Sequence, residues 1–370
     1  MMKVVIIGAG MAGLTLGAYL QKDQIAACIN ERADTIWGGG HAFLMHRDGF
    51  SILEDWSNET GIPLPGKKVE KFCLRTPEGR DLQDMQLGSW QCIKRNDLTD
   101  FLTSLLGTEV KDDRNFSHFL YDERQKVIAA VFTDGTTEYG DVFVGADGAY
   151  SKVRSALFGP VQFKTGGVKE VVGVAQQETI AREFASVFNK FQKQSAGLAF
   201  GMIPTSATEL VWFMQFDPAV AKLPSTKPED LSAFCHQQLI TFPAVVQEVL
   251  NANDFNQSYL WNTRDFDLLP SFHKDNVVLI GDAAHLALPF TSAGTTNALL
   301  DARLLAELLK GVVTLPDRDQ EQGLDAAFKE FYQRRSPEVR KHLEFGRKLR
   351  DRFLNPAGHI GEAVDVPLIV

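Results

Sequence analysis

The sequence predicts an α/β protein in which a parallel-sheet domain, assembled from separated stretches of chain, is interrupted by a mainly antiparallel β domain and followed by a C-terminal helix. Three observations predict it. The β-branched run Lys3–Ile7 ends in a glycine turn, a helical stretch and a second apolar run, a β-α-β unit. The same buried-strand texture returns twice, in DVFVGADG from Asp141 and in NVVLIGDAAH from Asn276. Between Gly166 and Phe216 the texture changes to three strand-like pieces, VVGVAQQETI, SAGLAFGMIP and ELVWFMQF, which suit an antiparallel sheet with one face toward a core or ligand.

The elements follow in order. Residues 11–22 place Leu14, Leu16, Ala18 and Leu20 in a helix, and IAACIN over 25–30 reads as a buried strand. Phe50, Ile52, Leu53 and Trp56 mark an amphipathic helix over 48–60. The stretch from Pro63 to Cys92 is turn-rich with alternating segments, and Asn96 is placed to cap a helix running to about Leu106. Short strands follow over 108–133, and two helical stretches over 228–251. A helix runs through ALLDARLLAELLK after Asn297. The last amphipathic region carries Phe328, Phe331, Tyr332, Val339, Leu343 and Phe353, with a break expected at Ser336–Pro337, where serine caps and proline opens a new helix.

Composition narrows the function. A net charge of -9 argues against a surface that neutralises nucleic-acid phosphates and directs attention to small-molecule partners. No run approaches the roughly 20 apolar residues of a membrane span, and the glycine-bearing N-terminus reads as strand, turn and helix rather than as a leader. Cys28, Cys73, Cys92 and Cys235 are scattered without metal or disulfide spacing, so a reducing cytoplasm is expected and no metal site is. Oligomeric state is not legible.

The first chemical motif is Gly8-Ala9-Gly10-Met11-Ala12-Gly13, between strand and helix. Gly8 permits a tight turn, Gly10 lets backbone approach a pyrophosphate, and Gly13 lets helix pack on strand, while the helix N-terminus offers amides to the phosphates. Glu31, followed by Arg32, stands where an acid accepts hydrogen bonds from adenosine ribose hydroxyls. The pattern is Rossmann-like and means a dinucleotide, with NAD and FAD both open. The second motif, Gly281-Asp282-Ala283-Ala284-His285, puts a carboxylate at a strand's C-terminal end, where it suits a ribityl chain, which FAD has and NAD lacks; the alternative is a helix N-cap. Pro289–Asn297, with Gly294 and Thr295, precedes a helix whose free amides suit the negative charge of a reduced flavin's pyrimidine end.

With the third motif, Gly145-Ala146-Asp147-Gly148-Ala149-Tyr150-Ser151-Lys152-Val153-Arg154, the chain resembles the class A flavoprotein monooxygenases, the p-hydroxybenzoate-hydroxylase-like enzymes. Their three signatures occur in this order and at similar spacing, the last completed here by Asn297, Asp301 and Ala302. The resemblance carries cofactor roles to Asp147 and Arg154 and, in CIKRNDL, a phosphate contact to Arg95. The loop departs from the family's frequent Gly-Gln-Gly core: Thr291-Ser292-Ala293-Gly294-Thr295-Thr296 looks more like the dihydroxypyridine-hydroxylase branch.

The resemblance implies an FAD-binding domain over 1–66, 94–165 and 265–325, a substrate domain over 67–93 and 166–264, and a helical segment over 326–370. It also implies that NADH or NADPH reduces FAD, that O2 adds to give a flavin hydroperoxide, and that the distal oxygen passes to an electron-rich carbon of a small aromatic or conjugated substrate. Phe200, Met202, Trp212 and Met214 are candidate pocket walls, against a plain-core reading. His285 is a candidate base or relay against a structural reading, and His41 either approaches the flavin or follows a flexible turn. The basic residues Arg334, Arg335, Arg340, Lys341, Arg347, Lys348, Arg350 and Arg352 read as a solvated helix face, against a contact with the phosphate of NADPH or with an acidic partner. A reductase or halogenase on the same fold is the rival, but Ala199–Pro204 lacks the leading aromatic positions of their motifs; a non-catalytic flavin-fold binding protein is the other alternative.

Overall fold

A computed structural model describes residues 2–34, 42–107, 109–195 and 197–355. His41 and the glycines before it lie outside the described residues.

In chain order the first elements are β1 (Lys3–Ile7), α1 (Met11–Lys22), β2 (Ala26–Asn30), β3 (Ala42–Met45), α2 (Arg47–Thr60), β4 (Lys67–Arg75), β5 (Asp81–Lys94) and α3 (Arg95–Ser104). Next come β6 (Phe116–Tyr121), β7 (Val127–Phe132), β8 (Thr137–Tyr139), β9 (Val142–Gly145) and α4 (Lys152–Phe158). The second half holds β10 (Lys164–Gln176), α5 (Glu178–Glu183), β11 (Val187–Gln192), β12 (Leu198–Pro204), β13 (Glu209–Phe216), α6 (Pro228–Gln238) and α7 (Ala244–Asn251). It closes with β14 (Tyr259–Asp265), β15 (His273–Lys274), β16 (Val277–Leu279), α8 (Gly294–Val313) and α9 (Asp317–Leu354).

The first sheet has the order β15-β16-β9-β1-β2, with β1, β2, β9 and β16 parallel. These strands are short apolar runs because both faces are covered: Val4, Val5, Ile6, Val142, Phe143, Val144, Val277, Val278 and Leu279 are all buried. Their carboxyl ends carry the three glycine motifs side by side. The second sheet has eight strands in the order β14-β10-β13-β12-β11-β4-β5-β3 and is antiparallel except where β11 pairs with β4. A small third sheet, β6-β7-β8, packs Phe119 against Phe143 of the first.

Several local readings change. The stretch 171–180 is not one strand, because Glu178 opens α5, and β11 is a further strand that the pattern VFNKFQ did not announce. β3, within the stretch assigned to the cofactor domain, pairs with β5 in the eight-stranded sheet. Asn96 caps nothing: α3 begins at Arg95 without a side-chain cap. The expected break at Ser336–Pro337 is absent, and α9 continues through Pro337. Proline costs this helix one backbone bond, but Phe328, Phe331, Val339 and Leu343 on both sides of it are buried and Arg335 is anchored in an ion pair, so packing overrides local propensity.

The eight-stranded sheet is the element that matters most for placing a ligand. Successive side chains alternate between its faces. On one face Phe200, Met202, Trp212, Met214 and Phe216 pack with Leu231, Phe234, Val246 and Val249 of α6 and α7 into a closed core. The other face, carrying Glu170, Val172, Ile203, Val211, Phe213 and Gln215, looks onto a cavity.

Candidate active site

The three glycine motifs lock into one another. Gly8 has φ of +110°, and a Cβ there would lie 2.3 Å from the carbonyl oxygen of Ala146, so the first and third motifs touch backbone to backbone. A Cβ at Gly13 would lie 2.0 Å from the Gly8 carbonyl oxygen, the close helix–strand contact expected of that position. Gly10 differs: a Cβ there meets no described protein atom within 4 Å, so the turn faces open space. Gly281, with φ of +59°, stands against Ala12, since a Cβ there would come within 3.0 Å of the alanine's methyl. Helix α1 begins at this cleft with no side-chain cap and no acid in its first turn, leaving amides and the positive dipole end for an anion.

Glu31 lies at the end of β2, its carboxylate accepting from the Ala9 amide at 2.7 Å and the Ala33 amide at 3.1 Å. The acid is thereby fixed beside the glycine turn. Arg32 next to it is exposed. At Asp282 the helix-cap alternative falls away. No described residue hydrogen-bonds to its carboxylate, and the helical turn it belongs to has Ile280 as its N-cap, so Asp282 is not a cap. It is solvent-accessible yet ringed by protein, which describes a side chain on the wall of a cleft. Desolvation raises its pKa, opposed by the charges of His285, Arg95 and Arg154.

Asp147, unlike Asp282, is spent on a helix start, where Ser151 is the N-cap of α4 and accepts from the Arg154 amide at 2.8 Å. The Asp147 carboxylate accepts from Ser151 Oγ at 2.5 Å, the Lys152 amide at 2.7 Å and the Val153 amide at 3.1 Å, holding the start of α4. Arg154, 1% exposed, donates to the carbonyls of Ala149 at 2.7 Å and Ala283 at 3.0 Å, and its guanidinium lies 4.5 Å from the Phe266 ring centroid. It ties the GADG and GDAAH turns together. Both residues carried over from the family thus bind protein here, and they act on the cleft by positioning its walls. Arg95, half-buried at the start of α3 and over the Phe43 ring at 5.9 Å, is the cation facing the Asp282 side of the cleft.

His285 takes the structural role. Its Nε2 donates to Asp301 Oδ2 at 2.7 Å, an oxygen that also accepts from the Gly281 amide at 2.9 Å. Arg335 Nε donates to Asp301 Oδ1 at 2.6 Å, and Arg335 also reaches Asn297 Oδ1 at 2.9 Å. Burial would raise the pKa of Asp301, but the charges and hydrogen bonds of His285 and Arg335 hold it down to about 2. Arg335 is therefore no part of a solvated face, and neither is Arg347, which forms a two-pronged pair with Asp265. His342, reached by Asn297, is lowered to about 4 by burial and neighbouring positive charge.

Pro289 starts the turn that leads to α8; Ser292 sits in the left-handed region at φ 52°, and Gly294 and Thr295 form the first, uncapped turn of the helix. Pro289, Phe290 and Ser292 also line a cavity of about 200 Å³ whose other walls are Leu44, Phe72, Val172, Phe188, Ile203, Val211, Phe213 and Phe353. The four side chains expected to wall it, Phe200, Met202, Trp212 and Met214, are in the opposite core. Their strands border the cavity, but these side chains lie on the other face, because a one-residue step along a strand exchanges its faces. Sequence reasoning also missed the cavity's polar end, Glu170, Lys190 and Gln215. Gln215 Nε2 donates to Glu170 Oε1 at 2.6 Å, and Lys190 Nζ donates to Gln215 Oε1 at 2.9 Å. Burial pushes Glu170 up to about 6 and Lys190 down to about 8, each moderated by the other's charge. Glu170, directly before the apolar run Val171–Ala175 of β10, was the available signal.

The fold and cleft are those of a dinucleotide-binding protein, with an open cleft at the carboxyl ends of β1, β9 and β16 and a second chamber beneath a separate sheet. Residues 1–342 match the family model described as "FAD binding domain", and the chain belongs to that family. It is 26% identical to 3-amino-4-hydroxybenzoate 2-monooxygenase of Streptomyces cremeus over 96% of this chain and 89% of the relative. Klebsiella pneumoniae HpxO, solved with FAD and uric acid, superposes with a TM-score of 0.83 at 20% identity, covering 99% of this chain and 90% of that one. The 2,6-dihydroxypyridine-3-hydroxylase of Arthrobacter nicotinovorans superposes with a TM-score of 0.82 at 19% identity, covering 99% and 96%. The chain is a flavoprotein monooxygenase with FAD as its cofactor. Among the described residues no helix is long and apolar enough to cross a membrane.

The cleft fits FAD on its own evidence: an open glycine turn at an uncapped helix start, an accessible carboxylate without a protein partner, and a cation opposite it. Of the residues named from sequence, Gly8, Gly10, Ala12, Gly13, Glu31, Arg95, Gly281 and Asp282 converge on it.

Proposed function

We propose that this monooxygenase hydroxylates a small aromatic or conjugated ring in the cavity beneath Phe290, taking electrons from NADH or NADPH and the oxygen atom from O2. The observation that carries the reading is the cavity itself. Its volume of about 200 Å³ and its aromatic and aliphatic walls suit a planar apolar molecule, and Pro289, Phe290 and Ser292 join it to the turn entering α8. In this reading the five-stranded sheet belongs to the cofactor domain and the eight-stranded sheet to the substrate domain. The ring-directed activity named for the Streptomyces relative, on an aminohydroxybenzoate, supports the same substrate class.

The α1 amides exposed by Gly10 and the Arg95 guanidinium would hold the phosphates of FAD, Glu31 the adenosine ribose, Asp282 the ribityl hydroxyls, and the first turn of α8 at Gly294 and Thr295 the pyrimidine end. When bound, FAD supplies the redox chemistry that activates O2. The chain's own tasks are to set the ring beside Pro289 and Phe290, to exclude water with Phe72, Phe188 and Phe213, and to favour negative charge with the α8 dipole. Four free cysteines support a reducing compartment such as the cytoplasm.

The test is anaerobic reduction of the yellow holoprotein by NADH and by NADPH, followed by admission of O2 with a panel of ring substrates. Hydroxylated product and substrate-stimulated O2 uptake are expected. Reduction of a substrate double bond without O2 uptake would replace this reading with a reductase.

A further inference from the structure

The cavity has an apolar body and one charged end, built on a low floor. β12 contributes Ala199 and Gly201 to the cavity face, opposite Gln215 and Phe213 of β13 and Gln192 and Lys190 of β11. With almost no side chain in the middle, Lys190 reaches over β12 to Gln215, and Gln215 in turn reaches Glu170 on β10, with which it is in register. The order of donors and acceptors fixes the amide. Its carbonyl faces the ammonium and its NH2 faces the carboxylate.

Lys190 is therefore an ammonium enclosed by protein whose hydrogen-bond acceptor among the described residues is a neutral amide oxygen. No ion pair joins it to Glu170; the Phe353 ring lies 5.7 Å from its nitrogen. An ammonium carries three donors, one is used on Gln215, and Lys190 lines the cavity. A buried ammonium is costly when its donors are not all paired, and the Glu170 charge reaches this one only from beyond the Gln215 amide. A ligand bringing two anionic oxygens would satisfy both remaining donors and the charge together. Among the described residues, the charged side chains that line the cavity are Glu170, Lys190 and Arg352. Gln215 occupies Glu170, so the carboxylate does not quench the lysine directly.

We propose that the substrate is an aromatic carboxylate, bound with its carboxylate on Lys190 Nζ and its ring against Phe213 and Phe188, and that Lys190, held by Gln215, is the residue that selects it. This rests on the reading of the cavity as the substrate chamber. Glu170 is a positioning residue that orders the Gln215 amide.

Perturbation of the flavin spectrum of the holoprotein measures binding of matched probes, 4-hydroxybenzoate against 4-hydroxybenzamide and nicotinate against nicotinamide. In the wild type at least one carboxylate is expected to bind about 10- to 100-fold tighter than its carboxamide, as for a charge-assisted hydrogen bond. Lys190→Met should erase that preference with flavin content unchanged, Lys190→Arg should retain it, and Glu170→Gln, which removes a negative charge, should not weaken the carboxylates. Equal binding of both members of each pair by the wild type, or a preference that survives Lys190→Met, overturns the proposal. Because Lys190→Met could disturb folding, Gln215→Leu is read beside it: loss of carboxylate preference there with normal flavin content supports the same assignment. Holoprotein that consumes O2 with ring substrates but ignores the carboxylate refutes only the selection by Lys190, whereas protein that takes up no flavin refutes the reading beneath it.

Discussion

Asp301 is the residue on which the cofactor cleft depends without touching it. It is fully buried and accepts from the Gly281 amide, His285 Nε2 and Arg335 Nε at 2.9, 2.7 and 2.6 Å. Asp301→Ala would leave the 4%-exposed Arg335 as a buried cation without its main counter-charge, and would free the Gly281 turn that presents Asp282. Breaking a buried pair by removing one partner costs about 3–5 kcal/mol, and the orphaned Gly281 amide adds about 1–3 kcal/mol if water does not reach it. Urea denaturation followed by tryptophan fluorescence, with flavin content measured on the same samples, checks both consequences: a large loss of stability and weaker FAD retention. The double change Asp301→Leu with Arg335→Met removes both charges and is expected to recover much of the stability lost in Asp301→Leu alone, since a pair replaced together leaves no stranded ion. A single variant within about 1 kcal/mol of the wild type, the scale of a surface pair, would refute the claim that this network holds the GDAAH turn.

Three further outcomes follow from the geometry. Gly8→Ala should fold poorly, because a methyl there meets the Ala146 backbone at 2.3 Å, whereas Gly10→Val and Asp282→Ala should keep wild-type thermal stability while losing flavin; equal stability losses in all three would show that the cleft is not a ligand site. Trp212→Ala should cost about 3–5 kcal/mol as a large core deletion, while Phe213→Ala, on the cavity face, should chiefly change substrate affinity; the reverse pattern would reinstate the other face of the sheet as the pocket. His342, whose folded pKa of about 4 lies below its ordinary 6.5, stays neutral in the fold while the unfolded chain binds a proton, so stability should fall between pH 6.5 and 4, by at most ~1.4 kcal/mol per unit. His342→Gln should flatten that slope, and an unchanged slope assigns the loss elsewhere.

What the sequence made legible was whatever backbone alone decides. Gly8, Gly10 and Gly13 announce themselves because the turn, the open approach and the helix–strand contact each exclude a side chain, and the buried runs of β1, β9 and β16 need both faces covered. The errors came where a side chain's role is set by the positions of its partners rather than by residue type. Asp147 and Asp282 stand in similar strand-to-helix turns, and only the positions of Ser151, Lys152 and Val153 reveal which carboxylate is tied to a helix start. Phe200 and Met202 look no less like pocket walls than Ile203, because a strand buried on both faces gives no polar alternation to fix its parity. Arg335 reads as one more basic residue of a surface helix until α9 is seen to run straight through Pro337 and press it onto Asp301. Lys190 was hidden in a strand whose polar residues, Asn189, Lys190 and Gln192, mask the apolar pattern of β11.

The central claim, that this FAD-binding chain moves one oxygen atom from O2 onto a ring held beneath Phe290, is tested most directly with isotopic oxygen. Holoprotein supplied with NADH or NADPH, a ring substrate that perturbs its flavin spectrum, and 18O2 should give product heavier by one labelled oxygen atom, with the second atom leaving as water. Product without the label, or substrate consumed with no uptake of oxygen, would contradict it.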